Sequence, residues 1–283
     1  TSQHWHITKP AASGRKGMVA SQARGAAEAG VAILEAGGTA ADAAVATAFA
    51  LATLEPWNSG LGGIGFAQVM APGGAAETFD FGPVSPRGLK PSAFPMTGQM
   101  KADLFTWPEV LEDRNVHGPL SFAIPSAVAG YMELHARHGR MPIKDVLAPA
   151  VALAKRGLAQ DWFTTLKVAN SASVLKLYAE SARIYLPGGL PPVAPYQGAP
   201  GFFQQGNLAA TLERLAQLDC TGQAPLAVVT HAMTWLAEVT LDIAWRQVMA
   251  DLDALHGVPT KPDGQRAEMW VIGMGKLGAR ELN

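Results

Sequence analysis

The sequence predicts a mixed helix-and-strand fold of the α/β (α+β) class, and three observations predict it. Two stretches of helical texture, 21–38 and 40–54, run directly into two short strand-like stretches, 66–70 and 76–81, around a turn. Helical periodicity returns in four later stretches between 126 and 218. Apolar residues make up 48% of the 283 positions and charged residues only 16%, so a substantial core can form.

Taken in order, the first helix is rich in small residues, with Val31, Ile33 and Leu34 as its bulkier members. Gly37-Gly38 stops it, because a left-handed cap costs least at glycine. Thr39 and Asp42 have the spacing of a capping box, in which hydroxyl and carboxylate satisfy free amides of the first turn. They start a helix over 40–54 that ends before Pro56. Its face of Ala43, Ala44, Ala46, Thr47, Ala48 and Ala50 permits close backbone approach, as a buried helix of a layered fold requires.

A glycine-dense stretch, Ser59 to Gly65, then turns into the strand 66–70, and Ala71-Pro72-Gly73-Gly74 connects it to 76–81 as a hairpin. Residues 82–125 carry seven prolines and read as an ordered but irregular excursion. Helices are expected at 126–139, at 143–156 with a break at Pro149, at 161–180 and at 208–218, with a turn-rich loop at 186–192. Beyond 218 the texture changes. A long amphipathic helix over 232–255 places Leu236, Val239, Ile243, Met249 and Leu252 on one face, before a loop at 259–265 and a strand at 269–272.

Composition narrows the classes of function. With 22 basic and 23 acidic residues, a net charge of −1 and no block of like charge, the chain points away from nucleic acid and membrane surfaces as partners. No uninterrupted apolar run approaches the ~20 residues of a spanning helix. The single cysteine, Cys220, excludes an internal disulfide framework and a thiolate metal cluster, and no adjacent histidine or basic residue activates it. The opening Thr1, without a methionine or targeting run, reads as a removed leader or a missing start; the compartment stays open, with the cytoplasm favoured.

Several residue clusters have both a chemical and a packing reading. His4 and His6 beside Trp5 lack a third metal ligand in view and read as a terminal detail. His135 and His138 share a helical face, but with Arg137 and Arg140 as neighbours they read as a solvated helix end. The run Gly60 to Gly65 has the composition of an anion cradle, while close packing of the hairpin on the helices accounts for it more simply.

Three ordered motifs carry a resemblance. Gly17-Met18-Val19-Ala20-Ser21, the stretch Ala36-Gly37-Gly38-Thr39-Ala40-Ala41-Asp42-Ala43-Ala44-Val45-Ala46, and Glu55-Pro56-Trp57-Asn58-Ser59-Gly60-Leu61-Gly62-Gly63-Ile64-Gly65-Phe66 together resemble the large-subunit start of gamma-glutamyltranspeptidases. Ile124-Pro125-Ser126-Ala127-Val128-Ala129-Gly130, Leu147-Ala148-Pro149-Ala150-Val151-Ala152-Leu153-Ala154 and Asn207-Leu208-Ala209 extend the resemblance over about 17–217. It implies an N-terminal-nucleophile hydrolase of αββα layers, present here as an incomplete fold. In the family a precursor cuts itself before a threonine, whose hydroxyl attacks a gamma-glutamyl amide with its own amino group as base. Glycine-rich amides stabilise the oxyanion. Nucleophile and oxyanion glycines belong to the small subunit, so the expectation is that no catalytic residue lies in this chain.

One departure bears on recognition. The family's hairpin commonly ends in Asp-Phe-Arg, whose guanidinium grips the substrate α-carboxylate, whereas this chain has Asp80-Phe81-Gly82. Gly82 cannot make that pair, which points to a divergent or acylase-like branch; Arg87, five residues on, reads as solvated surface rather than as a substitute.

A second resemblance starts after Leu218. The stretch from Asp219-Cys220-Thr221-Gly222-Gln223 to Val271-Ile272-Gly273-Met274-Gly275-Lys276-Leu277-Gly278-Ala279-Arg280-Glu281-Leu282-Asn283 resembles the bifunctional glutamine synthetase adenylyltransferase and adenylyl-removing enzyme. That family implies a nucleotidyltransferase core, here incomplete, in which Gly273, Gly275 and Lys276 form a nucleotide-binding, phosphate-approach loop. The complete family implies Mg and ATP as cofactors and glutamine synthetase as partner, with magnesium held by aspartates a few residues further on. The same letters fit the Gly-x-Gly-x-x-Gly dinucleotide fingerprint, which needs a following helix, strand and acidic residue not seen here.

The expected organisation is therefore a large-subunit fragment over 1–218 joined to an adenylyltransferase-like fragment over 219–283, inactive alone. The joint lies inside both domains rather than at a linker, as a gene-model or assembly artefact would place it. The expected partner is a missing small subunit or a complete homologue, and two alternatives stand beside this organisation: a noncatalytic binding or regulatory partner of a complete homologue, and a nucleotidyltransferase acting on glutamine synthetase.

Overall fold

The computed structural model describes residues 11–86, 88–102 and 105–220, together with 253, 254, 257–260 and 265. The expected long helix, the strand at 269–272 and the fingerprint residues Gly273, Gly275 and Lys276 lie outside the described residues. So do His4, His6 and Arg87.

Two helices open the fold, α1 (Arg24–Glu35) and α2 (Ala40–Leu54). The junction between them is set by glycine. Gly37 sits at φ +91°, and the amides of Gly38 and Gly37 close back onto the carbonyls of Ile33 (2.9 Å) and Leu34 (3.0 Å), a Schellman arrangement that satisfies the orphan carbonyls of the last turn. α2 starts with the capping box expected from Thr39 and Asp42. Its small residues let α1 approach closely: a methyl group on Gly30 would collide with the Thr47 hydroxyl and approach the Ala43 carbonyl oxygen to 3.0 Å. Ala43, Val45, Ala46, Phe49 and Ala50 of α2 are buried, so it lies at the centre of the core.

The expected hairpin is present as β1 (Gly65–Met70) and β2 (Ala76–Phe81), antiparallel and in register from Gly65 opposite Phe81 to Met70 opposite Ala76. Period-two alternation turns Phe79 and Phe81 onto the core and leaves Phe66 and Met70 on the open face. The excursion over 82–125 is more regular than expected, since it contains a second hairpin, β3 (Met96–Ala102) with β4 (Thr106–Val110). Pro108 stands in β4 opposite Met100, and Gly98 at φ +84° accompanies a register shift. A proline and a bulge in a largely exposed two-stranded ribbon erase the alternation by which a strand is read.

α3 (Ala127–His138) carries the first hairpin on its outer side and packs on α2. α4 (Ile143–Arg156) packs on the other side of α2 and supports α7 (Leu208–Cys220). The expected break at Pro149 does not occur: α4 runs through it. Proline removes one helical hydrogen bond and costs about 3 kcal/mol in a helix interior. Ile143, Val146, Leu147 and Ala150 are all fully buried, and about 1.5–3 kcal/mol for each large side chain outweighs that cost. The carbonyl that Pro149 leaves without its helical partner belongs to Asp145, an exposed residue.

The expected helix over 161–180 is divided into α5 (Trp162–Leu175) and α6 (Ala179–Tyr185). Asp161 caps α5 by accepting the Thr164 amide at 2.8 Å. Tyr178 between them is extended, its hydroxyl 3.0 Å from Nδ1 of His117, so a tertiary contact to the excursion accompanies the break. A short pair, β5 (Leu158–Ala159) with β6 (Phe202–Phe203), and a hydrogen bond from Gln205 to the Thr53 carbonyl (2.6 Å) tie the later loop to the core.

The described architecture is thus a mixed α/β arrangement of seven helices and three small antiparallel pairs. Among the described residues, no helix is long and apolar enough to cross a membrane, and no group of three or more His, Cys, Asp or Glu is arranged to hold a metal.

Candidate functional site

Chemistry-bearing residues converge where the end of β2 meets the glycine loop and the start of α3. Glu55 opens this region. It is buried, and its carboxylate accepts the Asn58 side-chain amide at 2.9 Å while its carbonyl accepts the Asn58 and Ser59 amides, each at 2.9 Å. The turn is therefore closed on itself and fixes where the glycine loop leaves α2. The indole Nε1 of Trp57, on the same turn, is buried without a hydrogen-bond partner.

Along the loop, the Gly63 carbonyl accepts the amides of Ser126 and Ala127, both at 3.0 Å, which are the first donors of α3. Ser126 Oγ donates to the Phe81 carbonyl at 2.6 Å. Loop, hairpin and helix are thereby locked together. Phe81 sits between two glycines: a Cβ on Gly65 would meet its ring at 2.7 Å, and one on Gly130 would overlap it. Its edge packs on Tyr131 (5.6 Å between centroids), which in turn packs on Phe49 (5.4 Å). Burial holds the Tyr131 hydroxyl above the usual tyrosine pKa. Gly65 and Gly130 therefore serve close packing, while Gly60 and Gly62 have open space around them.

Gly82 closes β2. Its amide donates to Asp80 Oδ1 at 2.9 Å, and its Cβ direction is filled by the ring of Phe66. The corner thus offers an aromatic face and a carboxylate. Sequence reasoning singled out Gly82 but missed Phe66, whose role depends on cross-strand register: Phe66 pairs with Asp80, which places Gly82 diagonally beside it.

His135 and His138 are not a solvated helix end. His138 Nε2 donates to Glu77 Oε2 at 2.7 Å, its ring meets Phe79 edge-on at 5.7 Å, and Arg137 also pairs with Glu77. His135 Nε2 donates to the Met141 carbonyl at 2.9 Å and lies 3.4 Å from Asp42 Oδ1. Fully buried Asp42 also accepts the amides of Thr39 (2.8 Å) and Arg140 (3.1 Å). The histidines are drawn in because the end of α3 turns beneath β2 and over the start of α2. Cys220 is the last residue of α7.

The family model for gamma-glutamyltranspeptidase matches residues 26–222, which contain every part of this corner. The chain belongs to the gamma-glutamyltranspeptidase family. Among its relatives, the acylase ACY 1 proenzyme of Pseudomonas sp. (strain SE83) is 33% identical over 183 residues, covering 65% of this chain and 32% of that protein. The chain thus spans about a third of the length of the curated family members it matches. The crystal structure of Helicobacter pylori gamma-glutamyltranspeptidase superposes with a TM-score of 0.65 at 26% identity, covering 78% of this chain and 60% of that one. Its likeness bears out the N-terminal-nucleophile hydrolase class of fold.

A second family model, glutamate-ammonia ligase adenylyltransferase, matches residues 207–283. The bifunctional glutamine synthetase adenylyltransferase/adenylyl-removing enzyme of Bordetella pertussis is 40% identical over 94 residues, covering 33% of this chain and 10% of that protein. The two matched ranges overlap along α7, whose Leu212, Leu215 and Ala216 belong to the gamma-glutamyltranspeptidase-like core.

Proposed function

We propose that the described residues are the scaffold half of an N-terminal-nucleophile amide hydrolase or transferase acting on gamma-glutamyl or related amides. In this reading they build one wall of the acyl site, and a small-subunit-type segment supplies the threonine nucleophile and its oxyanion amides. The observation that carries it is the locked junction of glycine loop, β2 and α3, which fixes the Asp80–Gly82 corner within the family-matching region. Rigid support of a substrate wall is what positioning of a reacting amide requires.

The open face of the first hairpin supports the same reading. Phe66 and Met70 are 66% and 74% exposed there, and among the described residues β1 and β2 pair with nothing but each other. Unpaired strand edges beside exposed apolar side chains favour a covering sheet. Co-expression with the nucleophile-bearing segment of a family relative should give a one-to-one, monodisperse complex that hydrolyses a chromogenic anilide. Failure of any such segment to bind would count against the reading.

The match over 207–283 favours a second activity for the later residues, nucleotidyl transfer to glutamine synthetase with ATP and Mg. Under this alternative, Gly273, Gly275 and Lys276 approach the nucleotide phosphates. Substituting Lys276→Ala should then weaken nucleotide binding by the chain, measured by calorimetry. A noncatalytic role, as a binding or regulatory partner of a complete homologue, predicts the same complex without turnover. Long-read sequencing of the locus tests whether the two parts share one natural reading frame.

A further inference from the structure

The last turn of α2 ends in carbonyls that have no partner further along the helix. The Leu51 carbonyl accepts the Glu55 amide at 2.8 Å, whereas the carbonyl of fully buried Thr53 accepts the side-chain amide of Gln205, a residue far away in sequence, at 2.6 Å. A carbonyl can only accept, so the NH2 group of Gln205 faces Thr53 and its Oε1 faces the Tyr185 hydroxyl, which donates to it at 3.3 Å. Burial holds the Tyr185 hydroxyl above the usual tyrosine pKa, so it stays a donor. Gln205 therefore donates at one end of its amide and accepts at the other. Neither a hydrocarbon nor a carboxylate of that length does both.

The residues around it hold Gln205 in place. Phe203 pairs with Leu158 and meets the Tyr185 ring edge-on at 6.1 Å, and Gln204 donates to the Lys155 carbonyl in the last turn of α4 at 3.2 Å. The Gln205 carbonyl accepts the Leu208 amide at 3.2 Å, so the same residue starts α7 and caps α2. The glycine loop departs from that capped end. Glu55, two residues after Thr53, holds the amides of Asn58 and Ser59 on its carbonyl. At the far end the Gly63 carbonyl is fixed by Ser126 and Ala127, while Gly60 and Gly62 have open space around them. The path of the loop therefore follows from how its two ends are held. We infer that Gln205 is a positioning residue for the glycine loop, setting the end of α2 from which the loop departs. Its bearing on catalysis rests on the amide-hydrolase reading above, in which that loop belongs to the wall of the acyl site.

Hydrogen exchange of the full 283-residue chain, read by mass spectrometry and normalised to intrinsic rates, tests the role of Gln205. In Gln205→Leu, peptides over 55–63 should exchange about tenfold faster, as the loss of one buried donor allows, while α1 and α4 keep wild-type protection. Gln205→Glu should act likewise at about pH 7, where a carboxylate confronts the Thr53 carbonyl at the negative end of α2. At about pH 4, below a glutamate pKa that burial lifts from its reference of about 4.3, the neutral acid donates again and wild-type protection of the loop should return. Gln205→Leu should show no such rescue. Tyr185→Phe leaves the Gln205 amide in place but takes away the donor that orients it; it should give the same local pattern at about twofold, and it decides the matter where Gln205→Leu fails to fold. Unchanged loop exchange, acceleration spread equally over α1 and α4, or no acid rescue in Gln205→Glu overturns the inference. The exchange measurement needs no turnover, so failure of the chain to bind a nucleophile-bearing segment defeats the hydrolase reading and leaves the role of Gln205 to be decided by exchange.

Discussion

Asp42 joins the start of α2 to the junction of α3 and α4. Its fully buried carboxylate holds the start of α2 and the chain at Arg140 and Met141, where α3 gives way to α4. Asp42→Ala would leave those part-buried amides without that acceptor, so a loss of about 3 kcal/mol is expected from hydrogen bonds to a charged group. Urea unfolding checks it, as a lower midpoint at unchanged slope. Gly37→Ala should cost about 1–2 kcal/mol by the same measurement, because only glycine takes φ +91° freely. Tyr131 supplies a pH dependence. Burial raises its folded pKa above the ordinary value of 10.0, so the native state keeps a proton that the unfolded chain releases. Its contribution is full below about pH 10 and is lost as pH rises through the folded pKa. Tyr131→Phe should therefore flatten the alkaline fall in stability, read from melting midpoints between neutral and strongly alkaline pH.

Among the elements, those with strong local punctuation were legible in the sequence. The Thr39–Asp42 box and Gly37-Gly38 fixed the end of α1 and the start of α2, and the turn at Gly73-Gly74 fixed the first hairpin. Where tertiary contacts overrode local signals, the reading failed. Pro149 does not break α4 because the fully buried Ile143, Val146, Leu147 and Ala150 hold both sides of it. The extended Tyr178 divides α5 from α6 while its hydroxyl meets His117, a residue distant in sequence. The β3–β4 ribbon has exposed faces and therefore no apolar alternation to read. At the candidate site Gly82 was visible as a departure from the family pattern. Phe66 was not, since its place depends on register. If α4 is held by packing against its proline, Pro149→Ala should raise the thermal midpoint, with a gain of about 1–3 kcal/mol as the removed penalty. A fall instead would mean that Pro149 itself packs productively.

On the scale of the whole molecule, helices α1, α2, α4 and α7 bury a continuous core, while the first hairpin keeps an open face that carries Phe66 and Met70 beside Gln68, Thr78 and Asp80. That asymmetry is what a scaffold half predicts: stability comes from the helical side, and the open face awaits a covering sheet. The adenylyltransferase match begins on α7, a helix already committed to this core, so the two resemblances meet within one structural element. The central claim is that this scaffold shapes an acyl site but does not itself break bonds. Incubating the purified chain with gamma-glutamyl 4-nitroanilide, with intact-mass analysis for self-cleavage, tests that claim most directly. Unchanged mass and no nitroaniline release from the chain alone are predicted; steady release abolished by a single substitution within these residues would contradict it.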